Sequence, residues 1–149
     1  MVRQLPPSPK AESPNTTKVM KANKAKDTKP ELALRKYLRE SGFGGYRLNW
    51  KKAPGRPDIC YPGKKIAIFV HGCFWHRCPK CTKTSPKTNT EFWNKKFELN
   101  VARDIRKREA LEALAWKVFE LRECDIKKDI RFVTRDIMSY LTNRLNQVE

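Results

Sequence analysis

A mixed α/β sheet flanked by helices is the fold class that this sequence predicts, and three observations carry the expectation. Short apolar runs bounded by Pro/Gly turns occupy residues 46 to 70, the signature of short strands. A long stretch of helical periodicity then separates them from one further apolar run at 116 to 121. A strand that returns after a long helix needs a crossover on the sheet, and no internal repeat offers another architecture.

The elements follow in order. Residues 1 to 27 hold Pro6, Pro7, Pro9 and Pro14 among lysines, serines and asparagines, with almost nothing apolar to bury, and are expected to form a basic flexible arm ahead of a domain at 28 to 149. Its lysines, Lys10, Lys18, Lys21, Lys24 and Lys26, suit a phosphate backbone as well as they suit bulk water. Thr28 followed by Glu31 has the form of a capping box, and Leu32, Leu34, Tyr37 and Leu38 populate the turns behind it, so a helix is placed from Pro30 to Ser41. Gly42, Gly44 and Gly45 end it. Tyr46 to Trp50, Asp58 to Tyr61 and Lys65 to Val70 read as three strands, the last of them central and buried. A cysteine-rich loop follows. Trp93, Phe97, Val101, Ile105, Leu111 and Leu114 then mark one amphipathic helix from Thr90 to Leu114. Trp116 to Leu121 reads as a fourth strand, and Ile130 to Leu145 as a closing helix with Ile137, Met138, Leu141 and Leu145 on one face.

Charge points to the partner. Lysine and arginine number 33 against 16 acidic residues, giving a net charge of +17, well beyond what solubility needs. A polyanion fits that surface. No uncharged apolar run approaches the roughly 18 residues of a membrane span, and lysines and prolines stand where a secretory signal would place an apolar block. The expectation is a soluble, cytoplasmic protein, nucleoid-associated when bound to DNA, with no membrane partner and acting as a monomer. Five cysteines in such a chain are better read as metal ligands or reduced thiols than as disulfides.

Chemistry is densest in HGCFWHRCPKC, His71 to Cys81. Four residues separate Cys73 from Cys78 and two separate Cys78 from Cys81, and Cys124 at the end of the fourth strand is available as a fourth thiolate. Zinc favours four soft ligands in a tetrahedron, and a closed site of this kind is structural, since no position is left for water or substrate. Unligated thiols are the plainer alternative. Cys60, inside a buried strand, is assigned to packing. Asp58, closing GRPD, opens a strand, where a carboxylate can hold Mg²⁺ against a phosphate. Glu31 on the preceding helix and the two histidines, His71 and His76, complete a set able to hydrolyse a phosphodiester. Each also has a plainer reading: Glu31 as a cap, His71 as a core residue, His76 as a loop residue. Phe74, Trp75 and Trp93 are large aromatics on a basic chain, able to wedge between base pairs or to fill the core, and spacing favours the core for Trp93.

GRPD, IFVHGCFWH, the TEFW of Thr90 to Trp93, the N-x-x-R-D of Asn100 to Asp104, and the paired Glu123 and Cys124 occur together and in order. In these blocks the chain resembles the very-short-patch mismatch repair (Vsr) endonucleases, over approximately Val19 to Asp125. The resemblance implies a restriction-endonuclease-like (PD-(D/E)xK-type) core in the order αβββαβ. It implies an enzyme that nicks the thymine-bearing strand on the 5′ side of T in a T:G mismatch, on double-stranded DNA and with Mg²⁺. By motif, Asp58 and the backbone carbonyl of Val70 correspond to magnesium ligands, His76 to the proton acceptor assisted by His71, and Glu31 to a nearby helix glutamate. Phe74, Trp75 and Trp93 correspond to intercalating side chains. Lys96 and Asn100 fall where the family contacts the mismatched region, and Met20 lies in an arm reaching the opposite groove. A functional link to a DNA cytosine methyltransferase and other repair proteins follows from the same resemblance. The cysteine loop departs from some relatives, which carry histidine where Cys78 stands, a change that zinc tolerates.

Two other functions fit the same composition: a zinc-stabilised DNA-binding protein without catalysis, and a nuclease on this scaffold with a different target. Asp58, His71 and His76 speak against the first, because an acidic group repels phosphate unless a cation sits between them.

Overall fold

A computed structural model describes residues 27–73 and 88–146. The chain enters helix α1 (Lys29–Glu40), then strands β1 (Arg47–Leu48), β2 (Ile59–Tyr61) and β3 (Ile66–His71), the last two joined by a 3-10 turn at Pro62–Lys64. Helix α2 (Thr90–Ala113) leads to β4 (Lys117–Arg122), and helices α3 (Glu123–Lys128) and α4 (Ile130–Asn146) follow. The expected αβββαβ order is present, with the short α3 added.

The four strands form one mixed sheet in the order β1-β2-β3-β4. β1 with β2 and β2 with β3 are antiparallel, whereas β3 and β4 run parallel over Ile66↔Lys117 to His71↔Arg122. Parallel neighbours cannot be joined by a tight turn, which is why the long α2 lies between them in sequence. β3 is central, buried along nearly its whole length as its unbroken apolar run predicts.

Each face of the sheet buries its own cluster. On one side Leu34 and Leu38 of α1, Ile59, Ile66, Ile68, Leu121, Ile126, Ile137 and Leu141 form the main core. On the other, Ala67 and Phe69 of β3 meet Leu111 of α2 and Ala53, with Trp50, Trp116 and Val118 packed around them. Alternation along β3 divides its side chains between these layers. Cys60 is fully buried and its thiol is pushed up to about 11 by burial, in keeping with a packing residue.

Two expectations need correction. Thr28 is the N-cap of α1, but its side chain makes no capping bond; Glu31 Oε2 instead accepts the backbone N–H of Asp27 at 2.9 Å, one residue before the cap. The carboxylate reaches past the box because Arg35 holds it. The apolar face drawn for α2 is also misplaced at its centre. Trp93, Phe97 and Leu111 are buried, but Val101, Ile105 and Leu114 are exposed. The inward stripe runs 93, 97, 100, 104, 108 and 111 at helical spacing, so its middle is Asn100, Asp104 and Arg108. Among the described residues, no helix is long and apolar enough to cross a membrane.

Candidate active site

The site lies at the end of the sheet where β3 finishes and β2 begins. Before Asp58 the chain turns through Gly55 and Arg56 at φ of +75° and +47°, two consecutive left-handed residues. Pro57, whose ring fixes its φ, and Asp58 then lead into β2 at Ile59. Asp58 Oδ2 accepts the backbone N–H of Val70 at 2.7 Å. Residues with N–H directed to one edge of a strand direct their carbonyl to the same edge, so the Val70 carbonyl also faces the Asp58 side, beyond the last β2–β3 pair, Ile59↔Ile68.

From the opposite layer α1 supplies Glu31, which is buried. Its carboxyl lies above the usual range, first through burial and then through the neighbouring Asp58 charge. Asp58 is raised too, by burial, against the pull of the Val70 N–H, His71, Lys107 and Arg35. Two neighbouring carboxylates raised by burial, one of them also by the other's charge, form a site that a divalent cation would relieve. Arg35 tempers the repulsion: Nη2 lies 3.2 Å from Glu31 Oε2 and Nη1 2.7 Å from Asp27 Oδ1.

His71 ends β3 and is 7% exposed. Its Nδ1 stands 3.8 Å from Asp104 Oδ2 of α2, and its Nε2 3.6 Å from Glu120 Oε1 of β4. The ring lies parallel to Phe69, with centroids 6.3 Å apart. From α2 also comes Lys107, whose stem crosses Gly55 closely enough that an added Cβ there would be 2.6 Å from Lys107 Cγ. Thus Asp58, Glu31 and His71, singled out from three separate stretches of sequence, converge on one place, with Val70 between them.

Asp104, Arg35, Lys107 and Glu120 were not legible as site residues. Asp104 had a signal, the N-x-x-R-D block; Arg35 stands one helical turn after Glu31; Glu120 is the acidic residue of a strand, Lys117–Arg122, in which charged and apolar residues mix.

Cys73 is buried, and its Sγ accepts the backbone N–H of Cys124 at 3.4 Å, so these two predicted zinc ligands meet where β3 ends and α3 starts. Among the described residues, no group of three or more metal-ligating side chains is assembled. Trp93 is packed against Phe97 and Phe92, with Lys96 Nζ 5.4 Å over its ring. Asn100 sits on the same inward stripe of α2. Phe74, Trp75, His76, Cys78, Cys81 and Met20 lie outside the described residues.

Comparison with known proteins bears on this arrangement. The family model described as DNA mismatch endonuclease Vsr matches residues 10–83. The chain is similar to type II nicking enzyme V.XorIIP of Xanthomonas oryzae pv. oryzae, 40% identical over 108 residues, which are 72% of this chain and 79% of that protein. It is 44% identical over 105 residues to type II nicking enzyme V.NmeAIP of Neisseria meningitidis serogroup A, covering 69% and 73%. It is 37% identical over 111 residues to DNA mismatch endonuclease Vsr of Escherichia coli, covering 74% and 70%.

Proposed function

The chain belongs to the Vsr family of DNA endonucleases, and from that premise we propose that it nicks the thymine-bearing strand 5′ of T in a T:G mismatch by Mg²⁺-dependent hydrolysis. The observation that carries the chemistry is the meeting of Asp58, Glu31 and His71 at one sheet end, reached from both layers of the fold. A non-catalytic DNA binder has no use for two crowded, buried carboxylates facing a polyanion.

In this reading Mg²⁺ would be held by the Asp58 carboxylate and the Val70 carbonyl, with Glu31 nearby; when bound it supplies charge stabilisation at the scissile phosphate. The chain's own residues do the rest. His76 accepts the proton of the attacking water, and His71, fixed between Asp104 and Glu120, supports the same centre. Arg35, 3.2 Å from Glu31, offsets part of the charge that Glu31 and Asp58 bring together. Phe74, Trp75 and Trp93 wedge the duplex beside the mismatch, with Lys96, Asn100 and Met20 contacting it. Seating the indole of Trp93 between bases requires it to leave the packing described above. Cys73, Cys78, Cys81 and Cys124 would hold a structural zinc that pins the segment carrying His76. The restriction-endonuclease-like assignment of the core, monomeric action and a link to a cytosine methyltransferase belong to this same reading.

The test is a nicking assay on duplexes carrying T:G, T:A or C:G at one position, with Mg²⁺ and with EDTA. Nicking confined to T:G and abolished by EDTA is expected. Equal cutting of all three removes the mismatch assignment, and cutting in EDTA removes the metal.

A further inference from the structure

We propose that Glu120, anchored by Arg108, is a positioning residue that fixes the imidazole of His71 from the β4 side. The proposal rests on the nuclease reading only for the use to which His71 is put; the contact itself does not. The parallel register pairs Phe69 with Glu120 and His71 with Arg122, so Glu120 shares a sheet face with His71 and lies diagonally beside it. The diagonal brings Glu120 Oε1 to 3.6 Å from His71 Nε2, while its other oxygen, Oε2, accepts from Arg108 Nη1 at 3.2 Å.

Arg108 follows Asp104 by one turn of α2, and Asp104 faces the other imidazole nitrogen at 3.8 Å. One face of α2 therefore acts on His71 twice, directly through Asp104 and indirectly through Arg108 and Glu120. Stacking on Phe69 limits tilt of the ring, and the carboxylates on its two edges limit rotation. The His71 imidazole, and after it Arg108, hold the Glu120 carboxyl below its usual range, so the group is an anion on this exposed edge of the sheet.

A charged residue in an edge strand has another use, which is to discourage pairing with a second sheet. Any polar side chain serves that purpose, and it requires neither the Arg108 anchor nor contact with His71. The two roles separate by experiment.

The full chain is compared with Glu120→Leu, Glu120→Gln and Arg108→Met, reading the ring ¹⁵N signals of His71, nicking kinetics and melting temperature. Only two histidines are present, so His76 serves as internal reference. Glu120→Leu is expected to move the His71 ring signals and to lower kcat about tenfold or more with KM within about twofold, the pattern of a misplaced group and not of lost binding. Glu120→Gln, which can still accept a hydrogen bond, should restore kcat to within about threefold of wild type, with Arg108→Met falling between. Unmoved His71 signals in Glu120→Leu overturn the proposal. So does a kcat loss that Gln fails to rescue and that follows the melting temperature. If the wild-type chain nicks no mismatched duplex while Glu120→Leu still moves the His71 signals, the nuclease reading falls and the positioning contact stands.

Discussion

Asp58 and Val70 are joined across the β2–β3 boundary by a hydrogen bond of 2.7 Å from a backbone amide to a carboxylate oxygen. The bond leaves Oδ1 of Asp58 as the oxygen for other work. Asn at this position keeps an acceptor for the Val70 N–H, so Asp58→Asn should change stability by no more than about 1 kcal/mol. Nicking should fall about a hundredfold or more, while affinity for a T:G duplex stays within about threefold. Binding lost together with nicking would make Asp58 a structural residue.

The pH dependence follows from the same pair. Glu31 and Asp58 titrate above the usual carboxylate range in the folded chain, so folding binds protons there. The stability they contribute is complete below their unfolded values and is lost as pH rises through the folded ones. Glu120 has the opposite sign: its contribution is present above the ordinary carboxylate range and disappears as pH falls through its lowered value. In metal-free buffer, the wild-type melting temperature relative to Asp58→Asn should therefore decline from about pH 4 toward neutrality. Mg²⁺ should raise it most near neutrality, with the gain shrinking as pH falls and protons compete. Parallel profiles for the two proteins would show that Asp58 does not titrate in this way.

Arg35 compensates two acids from a buried position, and its Nε has no hydrogen-bond partner among the described residues. Arg35→Met keeps the aliphatic stem but leaves Glu31 buried without its cation, at a cost of about 3 kcal/mol in denaturant unfolding. Adding Glu31→Gln should recover at least half of that loss. A single-variant cost below about 1 kcal/mol would mean that Glu31 finds water instead.

Gly55 is required twice, by its φ of +75° and by the Lys107 stem across it. Gly55→Ala should cost about 2 kcal/mol, part conformational and part steric. In a Lys107→Ala background the steric part disappears, so the same change should cost about 1 kcal/mol. Equal costs in both backgrounds would place the whole penalty in the backbone.

The meeting of Cys73 with Cys124 gives a metal prediction. Purified protein should hold about one zinc per chain, and Cys124→Ser should lose it together with several kcal/mol of stability. Wild-type protein with metal content near zero would remove the zinc site.

Strands β2 and β3 were legible because they are compact apolar runs between turns, as burial inside the sheet requires, and β4 because Val118, Phe119 and Leu121 stand among its charges. The helix ends were legible from Pro30, the glycines after Ser41 and the polar segment before Thr90. The interior of α2 was not, because its inward stripe becomes polar over the site. Val101 and Ile105, one position beyond Asn100 and Asp104, carried the apolar signal to the wrong face. Asp58 and His71 could be named from motifs, since each sits in a distinctive local string, and Glu31 from a capping-box pattern that the folded chain uses differently. Arg35 and Glu120 could not: their roles arise from a helical turn and from a strand register, which exist only once the chain has folded. Helix α3 escaped because Glu123–Lys128 is too short to display a period.

Asp27 is gripped at both of its polar ends, its amide by Glu31 and its carboxylate by Arg35. The same two side chains stand beside Asp58, so the threshold of the first helix and the candidate active site share their fastenings. A change at Asp27, such as Asp27→Ala, releases both of those side chains at once and is therefore felt at Asp58, far from it in sequence.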